Sequence, residues 1–246
     1  MTLFASVFKS VYSRRDVKIF LSFTLLPILV PLLSDFMEGM NSDVTGNFLV
    51  FLTSAISTQY RFVLPVLLFS LVVSSVFKDE IDMGIMFLYK DINRKKIYNA
   101  KLLSLFLVYG IFLFGTVIMS IIAYFGIMFP QGKVSLNIIP SDSIELRSTV
   151  FSFITIIVMN LITTCLVSMV SITSKTIKSV MIGVFFSLLV SVSPMLIGIN
   201  YLFPLGYVEL SEKHFALSVV VATILSIVYF MTFYLKGKSK FDQVEF

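Results

Sequence analysis

The chain has 246 residues, of which 57% are hydrophobic and only 13% charged, with a mean hydropathy of +0.97. A water-soluble domain carries roughly 25% charged residues, so soluble enzymes, nucleic-acid-binding domains and disordered tails are excluded and an integral membrane protein is indicated. The net charge of +5 need not signal nucleic acid, because membrane proteins retain Lys and Arg on their cytoplasmic side.

Residues 1–16 are too short to span a bilayer, yet Leu3, Phe4, Val7, Phe8, Val11 and Tyr12 recur at helical spacing beside Lys9, Arg14 and Arg15. That pattern predicts an amphipathic helix lying in the inner membrane interface. A signal peptide is the competing reading, but no small-x-small cleavage site follows the first apolar run, which ends at Leu33-Ser34-Asp35-Phe36.

Apolar runs of about 20 residues suit bilayer-spanning helices. They fall at about 17–34, 62–77, 102–129, 149–170, 180–200 and 215–235, with a weaker lead-in at 47–57. The expectation is an all-α integral membrane protein, a single transmembrane domain over 1–246 with six spans. The alternating ten-residue segments of a membrane β-barrel are absent. Fifteen of the 19 Lys and Arg residues fall before or at the very start of the first span (Lys18), in 78–101, in 171–179 or after the last span. The positive-inside rule then places both termini and the 78–101 loop in the cytoplasm of a multi-pass cell-membrane protein. That side carries a net +8 and the opposite side −3, which together account for the +5.

Residues that carry chemistry are few. His214 and Cys165 are the single histidine and cysteine, so no metal site is expected. Gly237-Lys238-Ser239 resembles the end of a phosphate-binding loop, but Thr232 stands where the leading glycine belongs. No catalytic role and no cofactor on this chain are expected. Proton pumping and voltage sensing are disfavoured, since the apolar runs hold no carboxylate and no arginine series.

The segment 77–103 is the most informative. Asp79, Glu80 and Asp82 precede Lys90, Arg94, Lys95 and Lys96, an order that complements a helix dipole and predicts a short helix over 80–90. Between the charges lie Met83, Ile85, Met86, Phe87 and Leu88. An apolar, Met-rich strip in a wet loop asks for a protein partner or a membrane surface.

This segment resembles the first coupling region of ABC exporter permeases of the type-2 class, whose ATPase is a separate polypeptide. In that pattern an acidic residue, a Gly, a Leu-rich turn, a basic residue, an Ile and a Lys opening the third helix fall on Glu80, Gly84, Leu88, Arg94, Ile97 and Lys101. Tyr201-Leu202-Phe203-Pro204 resembles the aromatic-Pro segment often found after the fifth span. The resemblance implies two permease subunits, identical or homologous, above two ABC ATPase subunits that hold ATP and Mg. It also implies a cytoplasmic coupling helix between spans two and three, seated in an ATPase cleft. Glu80, Met83, Gly84, Met86, Phe87, Arg94 and Lys101 would form that coupling surface.

A translocation path is suggested by small and polar residues in the spans: Ser70 and Ser74, then Asn160, Thr164 and Ser168 at i, i+4, i+8, then Ser187 and Ser191. Helix packing explains the same residues. The surrounding Phe, Leu, Ile and Val suit an amphipathic or hydrophobic substrate. Families of this size and shape include exporters of bacitracin, lantibiotics and phenol-soluble modulins, so export of a toxin or antimicrobial peptide is expected. Immunity to such a peptide is the near alternative. A channel-like or scaffolding membrane protein without an ATPase partner is the alternative from another class.

Overall fold

The computed structural model describes residues 3–34, 47–84 and 92–244. Every regular element among them is helical. In chain order these are α1 (Leu3–Tyr12), α2 (Arg15–Ser22), α3 (Leu26–Ser34), α4 (Phe48–Arg61), α5 (Val63–Ser74), α6 (Glu80–Asp82), α7 (Arg94–Ile121), α8 (Ser143–Ser171), α9 (Thr176–Val192), α10 (Tyr207–Leu210) and α11 (Phe215–Asp242). Four stretches are long and apolar enough to cross a membrane: Arg94–Met128, Ser143–Ser171, Thr176–Met195 and Phe215–Asp242. A fifth crossing is made if Phe48–Arg61 and Val63–Asp82, bent by 65° at their junction, count as one broken span.

The breaks follow from proline. Pro27 has no N–H for the Phe23 carbonyl, and the chain between α2 and α3 tightens into a 3₁₀ turn at Phe23–Leu25. The expected span 17–34 is therefore two short helices. The Phe23 carbonyl accepts instead from Leu26 N–H and from Gln59 Nε2 at 3.2 Å. Pro65 likewise cannot bond the Arg61 carbonyl, and its ring crowds that position. Phe62 turns extended at φ −67°, ψ 123°, separating α4 from α5. The weak lead-in at 47–57 thus belongs to a full helix of 14 residues. Pro194 ends α9 in the same way, and Ser193 Oγ donates to the Val190 carbonyl at 2.7 Å.

Two helix starts are capped by side chains, which satisfy otherwise free N–H groups. Asn93 accepts from Lys95 N–H at 2.9 Å to open α7, and Asp142 accepts from Ile144 N–H at 3.0 Å to open α8. Helix α8 is the most buried of the four long apolar stretches and packs on α4, α5, α7, α9 and α11. By contrast, α11 turns Leu217, Val220, Ile224, Ile227, Val228, Met231 and Leu235 outward. In water that apolar face would be costly; toward hydrocarbon it is not.

Helix α1 packs along α7 through Val7 and Val11, which are 6% and 1% exposed. The i, i+4 spacing read as a membrane-facing stripe thus faces protein at these two positions. Close approach of α5, α8 and α9 depends on Gly183: a Cβ there would lie 2.5 Å from Ser70 Oγ and 2.6 Å from Val167 Cγ2.

Candidate functional site

The acidic run at 79–82 does not open a new helix. Helix α5 continues through a π-helical turn, Ser75–Asp79, into α6, so Glu80 sits at the C-terminal end of a rod running Val63–Asp82. Residues 85–91 lie outside the described residues, so Met86 and Phe87 are not placed. A carboxylate at a helix C-terminus opposes the dipole. It is held there by two cations from distant parts of the chain. Arg14 Nη2 donates to Glu80 Oε1 at 2.7 Å, and Lys101 Nζ donates to Glu80 Oε2 at 2.8 Å.

Lys101 is the most enclosed member, its side chain 2% exposed against 11% for Glu80 and 22% for Arg14. A buried ammonium requires every donor to be directed. A second bond goes to the Val76 carbonyl at 2.9 Å, and the faces of Phe77 and Phe241 lie 5.5 and 5.7 Å from Nζ. Around it Tyr98 packs on Phe77 and Phe241, and its hydroxyl is 3.3 Å from Ser168 Oγ. Nearby, Ser75 Oγ donates to Asp16 Oδ2 at 3.1 Å. The cluster fastens together the α1–α2 joint, the end of α5–α6, the first turns of α7 and the end of α11.

The predicted coupling residues therefore divide. Glu80 and Lys101 bond each other inside the chain, and Arg94 donates from Nη1 to the carbonyls of Asp242 and Val244 at 2.9 and 2.7 Å. Ile97 of the same pattern is 1% exposed. Only Met83, 70% exposed, and Gly84 present an outward surface among the described members. Gly84 has φ +68°, a left-handed turn for which glycine carries no steric penalty. Arg14, Asp16, Phe77, Tyr98 and Phe241 were not singled out as site residues. Arg14 looked like one more basic residue near the membrane, and nothing local marks its partner 66 positions away.

The seven expected path residues are all in the bundle interior, and most of their polar atoms are spent on their own helices. Thr164 donates to the Asn160 carbonyl, Ser187 to Val184, Ser191 to Ser187 and Ser168 to Cys165, each within 2.9 Å. Asn160 Nδ2 donates to the Ile156 carbonyl at 3.2 Å. Ser74 Oγ is buried without a hydrogen-bond partner. Ser70, Asn160 and Thr164 share the wall of a cavity of about 20 Å³ that also meets Gln59, Tyr60, Tyr109 and Thr163. That volume admits no peptide. A larger apolar groove, about 590 Å³, runs between α8 and α11 along Val150, Ile154, Val158, Val219 and Ile227.

Among the described residues no group of three or more His, Cys, Asp or Glu side chains is placed to hold a metal ion. Comparison with protein-family models, with curated proteins and with solved structures returns no match.

Proposed function

We propose that the chain is the permease subunit of an ATP-driven exporter, inserted by six spans with both termini cytoplasmic and working as one of a pair above two ATPase subunits. The observation that carries this reading is the Arg14–Glu80–Lys101 cluster at the end of the Val63–Asp82 rod, with Met83 standing exposed just beyond it. A push on an exposed tip is useless if the tip yields. Here three charge-assisted groups transmit it from the α5–α6 rod to the α1–α2 joint and α7 together. In this reading α2 and α3 make the first span as a broken pair, and α4 is an inclined segment leading into the second. Glu80 and Lys101 orient the coupling turn from within, while Met83, Gly84 and the 85–91 segment meet the ATPase.

The cavity beside the elbow is far too small for the expected substrate, and in this reading the path lies between paired subunits. The outward faces of α8, α9 and α11 are apolar, which supports an amphipathic or hydrophobic cargo, most simply a peptide. The test is purification from native membranes in mild detergent, followed by ATP hydrolysis and vesicle uptake of amphipathic peptides. Co-purification of an ATPase with a phosphate-binding loop and an LSGGQ-type signature, and peptide uptake requiring ATP, are expected. Absence of such a subunit from an intact, folded preparation, or transport indifferent to ATP, overturns the proposal in favour of a channel or scaffold.

A further inference from the structure

The small cavity beside the 65° elbow has a mostly apolar wall into which Gln59, Tyr60, Asn160 and Thr163 bring polar side chains. Tyr60, the next-to-last residue of α4, is 3% exposed and lines it. Its hydroxyl lies beside Thr163 yet has no hydrogen-bond partner of acceptable geometry. A buried phenol left in this state is costly, and native structures rarely tolerate it. The opposite wall offers what it lacks. Thr163 Oγ1 donates to the Met159 carbonyl at 2.8 Å and keeps its lone pairs. Asn160 Nδ2 donates to the Ile156 carbonyl at 3.2 Å, and its amide oxygen still has capacity to accept.

We propose that this chamber is a binding site for one structural water molecule, shared by Tyr60, Thr163 and Asn160. A water needs roughly 10–15 Å³ of such space and two to four polar partners, and a cavity of about 20 Å³ supplies both. The water bridges the end of α4 to the middle of α8, across the one place where the backbone of α4–α5 is not helical. Gln59, the adjacent residue, makes the matching direct tie: its Nε2 reaches the Phe23 carbonyl and its Oε1 accepts from Thr116 Oγ1, each at 3.2 Å. The elbow is thus pinned on one side by a side chain and on the other by a solvent molecule. The inference does not depend on the transport reading.

Radiolytic hydroxyl-radical footprinting of the purified full chain in ¹⁸O-labelled water tests it directly, because a bound water oxidises the aromatic ring beside it. Tyr60 should label severalfold more than Tyr98, which is fully buried and has Ser168 as its partner. Equal, background labelling of the two overturns the proposal. Tyr60→Phe gives a second readout with opposite signs. A water-bridged hydroxyl makes Tm fall by about 2–4 °C, with a non-additive effect when Thr163→Val is combined. An orphan hydroxyl makes the substitution neutral or stabilising and the pair additive, and the proposal fails.

Discussion

Removing the Glu80 carboxylate takes from Lys101 the carboxylate it is bonded to. In Glu80→Ala the ammonium, with 2% of its side chain exposed, loses its bonded carboxylate while keeping the Val76 carbonyl and the two aromatic faces. Breaking a buried ion pair by deleting one partner costs about 3–5 kcal/mol. The lower end applies, since Arg14 is 22% exposed and can turn to water. At about 2–4 °C per kcal/mol for a chain of this size, about 3 kcal/mol lowers Tm by roughly 6–12 °C. Cys165, the single cysteine, is buried and so reports unfolding to a thiol-reactive fluorogenic dye in detergent. The double variant Glu80→Leu/Lys101→Met should recover most of the loss, because apolar replacement of a whole buried pair is often neutral. A Glu80→Ala Tm within about 2 °C of the parent, beneath the smallest shift expected for even 1 kcal/mol, would refute the reasoning. For the same reason Glu80 is a poor probe of partner coupling alone.

Met83→Glu is the cleaner probe: its side chain is 70% exposed, so Tm should hold while, if the proposed ATPase pairing is right, substrate-stimulated ATP hydrolysis by the complex is lost. Gly183→Ala should destabilise by about 1–3 kcal/mol through overpacking, with recovery on adding Ser70→Ala and Val167→Ala, read by the same melting assay. Gly237→Leu should be worse tolerated than Ser239→Leu, since a Cβ at 237 meets the Tyr98 hydroxyl, whereas Ser239 is exposed. Arg94→Ala removes two bonds to the backbone at 242 and 244, and hydrogen exchange over 238–244 should accelerate at least severalfold while α8 stays protected.

What was legible in the sequence was the hydrophobic period. The apolar runs at 102–129, 149–170, 180–200 and 215–235 correspond to the four long apolar stretches, because length and composition alone decide whether a helix can lie in hydrocarbon. The breaks were legible only in part: Pro27 and Pro65 are visible, but that Gln59 would satisfy the freed Phe23 carbonyl is a contact between residues 36 apart. At 79–82 the charge order misled. Acids before bases describe a helix start on local grounds, yet tertiary ion pairs from Arg14 and Lys101 outweigh the dipole and let the preceding helix run on. The Ser and Thr stripe was ambiguous for a physical reason. A hydroxyl that bonds its own i−4 carbonyl looks the same in sequence as one that lines a path.

The Lys101 enclosure has a consequence for synthesis. Its lid, Phe241, lies 140 positions after it, 241 less 101. At about 5–20 residues per second, roughly 7–28 s separate the two on the ribosome. Throughout that interval Glu80, Lys101 and Phe77 can already meet, but the Phe241 face of the enclosure is missing and that side of the ammonium is open to water. The nascent chain therefore passes through a state in which this charge is hydrated and cheap to hold. Arrival of the final turn of α11 completes the enclosure that Glu80, the Val76 carbonyl and Phe77 begin.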